Sequence, residues 1–137
     1  MLFRSGYFLG LAFQICDDVL NLRGHLARYG KEIDGDLWEG KRTLILSHAL
    51  TTASPSDREW IAAFLCRSRQ RRLPREVFQL HQLLEGNGSI DWAVSVAQAF
   101  TEAAISEFDA TAFAGVADGP DLHWLRSCVD YLVQRDV

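Results

Sequence analysis

Gly6-Tyr7-Phe8-Leu9-Gly10-Leu11-Ala12-Phe13-Gln14-Ile15-Cys16-Asp17-Asp18-Val19-Leu20-Asn21-Leu22 is the stretch whose reading decides the fold. It holds no proline, and its polar residues recur at spacings of three and four, the period of an α-helix. On a helical wheel of about 100° per residue, Leu9, Leu11, Ala12, Ile15, Cys16, Val19, Leu20 and Leu22 cover most of the circumference. One narrow stripe carries Gly6, Gly10, Gln14, Asp17, Asp18 and Asn21. A solvent face would be wider and richer in Lys, Arg and Glu. The pattern therefore predicts a helix over 2–22 that is covered on most sides, with the stripe turned toward a cleft and the two glycines leaving room above the carboxylates. A buried carboxylate needs a counter-charge or takes up a proton. Magnesium, which prefers oxygen ligands and often completes its shell with phosphate, answers that need. Pairing with arginines, or a position at a fraying helix end, answers it too.

Helical patterns fill the rest of the chain, punctuated by glycine and proline. Nothing reads as a strand, so the fold class is all-α. After the first helix comes an irregular stretch containing Gly24, Gly30, Gly35 and Gly40. A second helix is expected over 41–52. Ser54-Pro55-Ser56-Asp57 reads as the start of a third, with proline in the first turn, ending near Arg67. A fourth covers 74–85 and stops at Gly86-Asn87-Gly88. Ser89 is expected to cap a fifth that lasts to about Ala112, and Gly119-Pro120-Asp121 opens a sixth that ends near Arg135. A helix that begins at residue 2 without a cap residue reads as a chain cut from something longer, or as a short gene product.

At 137 residues and 48 % hydrophobic content the chain is long and apolar enough for one domain with a real core. A net charge of −4 gives no reason to expect nucleic acid or an anionic membrane surface as a partner. The cluster Arg67, Arg69, Arg71 and Arg72 reads as a solvated helix end, where cations suit the dipole, rather than as a nucleic-acid patch. No apolar run approaches the roughly 20 residues of a transmembrane segment, and the apolar start lacks the basic region and cleavage site of a signal peptide. Cys16, Cys66 and Cys128 are odd in number and far apart, and read as reduced, buried thiols of a cytoplasmic protein. His25, His48, His81 and His123 form no motif. Asn87-Gly88-Ser89 fits the glycosylation sequon, a short pattern that recurs by chance.

Downstream of the stripe lie Lys31, Lys41 and Arg42, with Asp34 and Asp36 between them. Gly40-Lys41-Arg42-Thr43 leads into a helix. It is not a P-loop, because the upstream glycine and strand are missing. Carboxylates on one wall and cations on a glycine-containing loop suit a metal-bound diphosphate, the metal cancelling charge from one side and the lysines from the other.

Phe13-Gln14-Ile15-Cys16-Asp17-Asp18-Val19-Leu20-Asn21 resembles the second aspartate-rich motif of the trans-isoprenyl diphosphate synthases. The resemblance continues through Tyr29-Gly30-Lys31-Glu32, Gly35-Asp36-Leu37 and Gly40-Lys41-Arg42-Thr43-Leu44, and more loosely through 89–108 and 125–136. It implies the all-α isoprenoid-synthase bundle of class I terpenoid synthases, with residues 1–137 as the C-terminal half of such a domain and the upstream half, with its own aspartate motif, absent. It implies a geranylgeranyl- or farnesyl-type polyprenyl diphosphate synthase, a prenyltransferase that condenses isopentenyl diphosphate head to tail with an allylic diphosphate. Magnesium is the implied cofactor. Asp17 would ligate it, with Asp18 and Asp36 in support. Lys31 and Lys41 would hold the leaving diphosphate, Gln14 would hydrogen-bond near the reacting centre, and Phe13 would line the isopentenyl pocket. The implied partners are the two diphosphates and a second protein chain, either a homodimer copy or a complementary prenyltransferase chain. The alternative is a non-catalytic prenyltransferase-like subunit of a catalytic partner.

Two positions depart from the family pattern. Its commonest form has a third aspartate where this chain has Asn21, although asparagine occurs there in geranylgeranyl-type members. The residue after Gly24, often aspartate in the family, is His25.

Overall fold

The computed structural model describes residues 2–23, 33–110, 123–124 and 127. All regular structure among them is helical. Helix α1 spans Leu2–Arg23, with Arg23 in its last turn where a cation suits the helix dipole. Asp34 sits in the left-handed region at φ 60°, a conformation that aspartate tolerates better than most residues. It leads into α2, Gly35–Glu39, which Gly40 ends at φ 69°. Helix α3 covers Leu44–Thr52, and its cap Thr43 accepts the Leu46 N–H at 3.3 Å. Helix α4 covers Pro55–Leu65, with Ser54 Oγ accepting the Asp57 N–H at 3.1 Å. A 3₁₀ turn at Arg69–Arg71 precedes α5, Pro74–Gly86, where the Glu76 carboxylate reaches back to the Leu73 N–H at 3.0 Å. Helix α6 spans Ser89–Asp109.

The expected outline is met in its long elements and corrected in its short ones. The stretch read as irregular contains α2, and α3 starts three residues later than expected because Thr43, not Gly40, supplies the cap. Ser89 does not cap α6. Gly88, at φ 65°, precedes the helix and its carbonyl accepts the Trp92 N–H at 3.0 Å. Ser89 is fully buried with its hydroxyl 3.0 Å from His48 Nδ1. The helix expected near the C-terminus lies outside the described residues, except that His123, Trp124 and Ser127 are helical.

The chain divides into two compact units, Met1–Cys16 with Val94–Val137, and Asp17–Ala93. Within the second, α2 and α3 pack on α5, and α3 packs on α4. Ile45, Leu46, Ile61, Phe64, Leu80 and Leu84 are wholly buried there, each worth roughly 1.5–3 kcal/mol of transfer free energy. Arg23 ties three helix ends in this unit, reaching Glu85 at 3.2 Å and Asp91 at 2.8 Å. Within the first unit, Ser5 Oγ donates to the Ala104 carbonyl at 2.8 Å, and Phe8 stacks on Phe100 at 6.0 Å. Of the two described cysteines, Cys16 is buried but Cys66 is exposed, so the expectation of buried thiols holds for one of them.

Candidate functional site

Asp18 and Asn21 lie one helical turn apart at the C-terminal end of α1, both only 6 % exposed. Asn21 acts as a bracket for the segment that follows. Its backbone carbonyl accepts the Asp34 N–H at 2.9 Å, and its side-chain Oδ1 accepts the Asp36 N–H, also at 2.9 Å. These two bonds lay the start of α2 against the end of α1. Asp36, in the first turn of α2, is thereby brought beside Asp18.

Among the described residues, one cation stands between the two carboxylates. The Lys41 ammonium donates to Asp18 Oδ1 at 2.7 Å and to Asp36 Oδ2 at 3.0 Å. Its own backbone N–H bonds the Asp36 carbonyl at 2.9 Å, so residues 36–41 close on themselves. Burial alone would lower the pKa of this ammonium. The hydrogen bonds to Asp18 and Asp36, and then their charges, outweigh it and push the pKa above the ordinary lysine range. Lys41 is thus a fixed cation. The sequence placed the carboxylates and this lysine on opposite walls; the structure joins them directly.

The other candidates fall into place around this bridge or away from it. Asp17 is half-buried on the next strip of α1. Gln14 is exposed and Phe13 half-buried on the same helix. Lys31 lies outside the described residues. Gly6 and Gly10, upstream on the stripe, are exposed, and a Cβ at either would meet nothing within 4 Å, so the described residues close no cleft above them. A pocket of about 320 Å³ is lined by Leu46, Leu50, Leu65 and Cys66 with Arg42, but by none of the candidate site residues.

Two residues next to the bridge were missed in the sequence. His81 Nδ1 lies 2.7 Å from Asp34 Oδ1. That hydrogen bond raises the pKa of the imidazole, against the opposing effect of burial, with the charges of Asp34 and Glu85 adding to the rise. Arg72, read as part of a solvated cluster, is 6 % exposed and sits against Gly40. Its pKa is lowered by burial and by the nearby charge of Arg67. Arg67 is held by Glu76 at 2.8 Å, and Arg69 lies over the Trp38 ring. Arg67, Arg69 and Arg72 thus have partners in the structure, while Arg71 is exposed. For His81 no signal was readable, since its carboxylate lies 47 positions away.

Among the described residues no three His, Cys, Asp or Glu side chains gather into a ready-made metal cage. Magnesium, however, is commonly bound by one or two protein carboxylates, with waters and substrate phosphates completing its octahedron. Asp18 and Asp36 already converge on one positive charge, and their hard oxygen donors fit such a partial shell.

A bundle of helices with converging aspartates and a lysine from a glycine-ended loop defines a class that comparison makes specific. The polyprenyl synthetase family model matches residues 1–81, and the chain belongs to that family. It is 29 % identical over 134 residues to the octaprenyl diphosphate synthase of Escherichia coli, covering 96 % of this chain and 38 % of that protein. The geranylgeranyl pyrophosphate synthetase of Pyrococcus horikoshii superposes with a TM-score of 0.80 at 28 % identity, over 97 % of this chain and 38 % of that one. A polyprenyl synthase of Caulobacter crescentus, solved with calcium and isoprenyl diphosphate, superposes with a TM-score of 0.78 at 27 % identity, again over 97 % and 38 %. The chain thus spans about two-fifths of the length of these relatives. None of its described helices is long and apolar enough to cross a membrane.

Proposed function

We propose that these residues are the C-terminal part of an isoprenyl diphosphate synthase domain, of geranylgeranyl or farnesyl type. They form one wall of a site where isopentenyl diphosphate is joined head to tail to an allylic diphosphate. The observation that carries this reading is the bridge from Asp18 through Lys41 to Asp36. A diphosphate and its counter-ions would need both carboxylates and a cation, and this cluster supports the reading by offering them together. The Caulobacter relative, which holds calcium and isoprenyl diphosphate, supports it.

Magnesium, when bound, would supply the Lewis acidity that stabilises a departing diphosphate. Asp17 would ligate that ion, with Asp18 and Asp36 in support. Lys41 has three donor hydrogens, two of them engaged, and can turn toward a diphosphate oxygen. Lys31, which the resemblance assigns to the same role, would serve the same diphosphate. Gln14 offers an exposed amide to the reacting centre, and Phe13 an apolar wall to the isopentenyl group. A cytoplasmic location, and a homodimer or a complementary prenyltransferase chain as protein partner, go with this reading.

A second reading, a non-catalytic subunit that docks on a catalytic chain, is favoured by Phe3 and Tyr7 on α1, which are 83 % and 57 % exposed.

A condensation assay tests both. The 137 residues alone contain one adjacent aspartate pair, half of what the reaction needs to neutralise the allylic diphosphate. Metal Lewis acidity is worth several kcal/mol, and about 1.4 kcal/mol is a factor of ten in rate. The purified chain should therefore give no prenyl diphosphate from isopentenyl and geranyl diphosphates, and a complementary chain with the other aspartate motif should restore turnover. Product from the chain alone would overturn the proposal. Calorimetry of magnesium pyrophosphate should show weak binding that is lost in an Asp17→Ala, Asp18→Ala variant. Equal heats in both would remove the aspartates from the account.

A further inference from the structure

Arg72 is a buried cation with no carboxylate partner among the described residues. Among the described residues its guanidinium Nη1 donates to the Trp38 carbonyl, and Nη2 makes a longer bond of 3.4 Å to the Leu65 carbonyl. It lies 4.9 Å above the Phe64 ring, and its Nε has no acceptor. Burying a charge is costly unless its hydrogen bonds are made. An apolar side chain of similar size would fill the same volume without that cost, so packing alone does not explain an arginine here.

What the arginine does, and an apolar residue cannot, is join two helix ends. Trp38 is in the last turn of α2, and Leu65 is the last residue of α4. The planar fork spans both carbonyls from one rigid group. Its terminal atoms press against Gly40 so closely that a Cβ there would collide with them. Lys41 is the next residue along the chain.

We infer that Arg72 is a positioning residue for the diphosphate-binding lysine: it clamps Trp38 and Gly40 from below and so fixes the register in which Lys41 meets Asp18 and Asp36. It touches no ligand itself. The ligand part of this inference rests on the function proposed above; the clamp does not.

Two measurements separate the clamp from the function. The first is amide hydrogen exchange. The Gly40 N–H bonds the Leu37 carbonyl at 3.1 Å and the Lys41 N–H bonds the Asp36 carbonyl at 2.9 Å. In Arg72→Met these two amides should exchange at least tenfold faster, while those of Ala53 and Asn87, at the ends of α3 and α5, keep their rates. Unchanged rates at 40 and 41, or an equal rise at all four amides, would overturn the clamp. Should Arg72→Met fail to fold, Arg72→Lys retains one donor but not the fork, and should show the same local acceleration to a smaller degree.

The second is a double-mutant cycle on magnesium pyrophosphate binding. Arg72→Met should weaken binding about tenfold in the wild-type background and less than twofold in Lys41→Ala. Equal losses in both backgrounds would show that Arg72 does not act through Lys41. If the unmodified chain binds no magnesium pyrophosphate, it is the proposed function that fails, and the exchange rates still decide the clamp.

Discussion

The polar stripe of α1 is one feature in the sequence and two in the structure. Its N-terminal part, Gly6, Gly10 and Gln14, is exposed, and the glycines have open space where a side chain would stand. Its C-terminal part, Asp18 and Asn21, is sealed by the segment from Asp34 to Lys41, which returns to the helix within about twenty residues. The same periodicity therefore marks an open surface at one end and a finished electrostatic cluster at the other. What separates them is a local partner segment. Polar residues on a helix become a site only when a second element supplies the groups that orient them.

The glycines give the sharpest way to break this comparison. Alanine at Gly40 would take up a left-handed conformation, a cost of about 1–2 kcal/mol, and drive a Cβ into the Arg72 guanidinium, about 1–3 kcal/mol more. Gly40→Ala should thus lose roughly 2–4 kcal/mol in a urea melt. Gly10→Ala should gain about 0.5–1 kcal/mol, because a helical glycine in open space only adds backbone entropy to the unfolded chain. Equal effects at both sites would erase the distinction between the two ends of the stripe.

Asn21 comes next in size. Asn21→Leu removes the acceptor for the Asp36 N–H and leaves that donor in a half-buried place, a loss of about 1–3 kcal/mol. Asn21→Asp keeps an acceptor and should stay within about 1 kcal/mol of the parent, read from the same melts. That outcome would show that the side-chain oxygen is the group that matters at this position. A loss in Asn21→Asp as large as in Asn21→Leu would mean that the amide nitrogen, not the oxygen, is the group that matters.

The smallest expected effect is a pH dependence. His81 has a folded-state pKa raised by Asp34, so its protonated form favours the folded state. The contribution is fully present below the unfolded value of about 6.5 and is lost as pH rises through the higher folded value. A partly exposed pair of this kind is worth up to about 1 kcal/mol. Melting temperatures at pH 6 and pH 8.5 should differ more for the parent chain than for His81→Gln, and an equal difference would place the pH dependence elsewhere.

The long helices were legible because some twenty residues of regular period leave little choice, and the helix after Ser54-Pro55 because that pair carries its start signal locally. Helix α2 was not: five residues cannot display a period, and the surrounding glycines suggested loop. Asp18, Asp36 and Lys41 were legible as a set, but not as a direct bridge, since the hydrogen bonds that turn them together are accepted by Asn21, a residue read as part of the polar stripe and not as a bracket. Arg72 was opaque for a different reason. In Arg69-Gln70-Arg71-Arg72 nothing in the sequence says which guanidinium turns inward, and the answer depends on a glycine thirty-two positions earlier.

The turn between α5 and α6 has one more consequence, for the sequon at Asn87-Gly88-Ser89. Its amide Nδ2 is the atom to which a glycan would be joined, and in the folded chain that nitrogen is buried. The hydroxyl of Ser89, which completes the triplet, is shut in against His48. A glycosyl-transferring enzyme would meet neither group on the folded chain, so the triplet is sterically silent there.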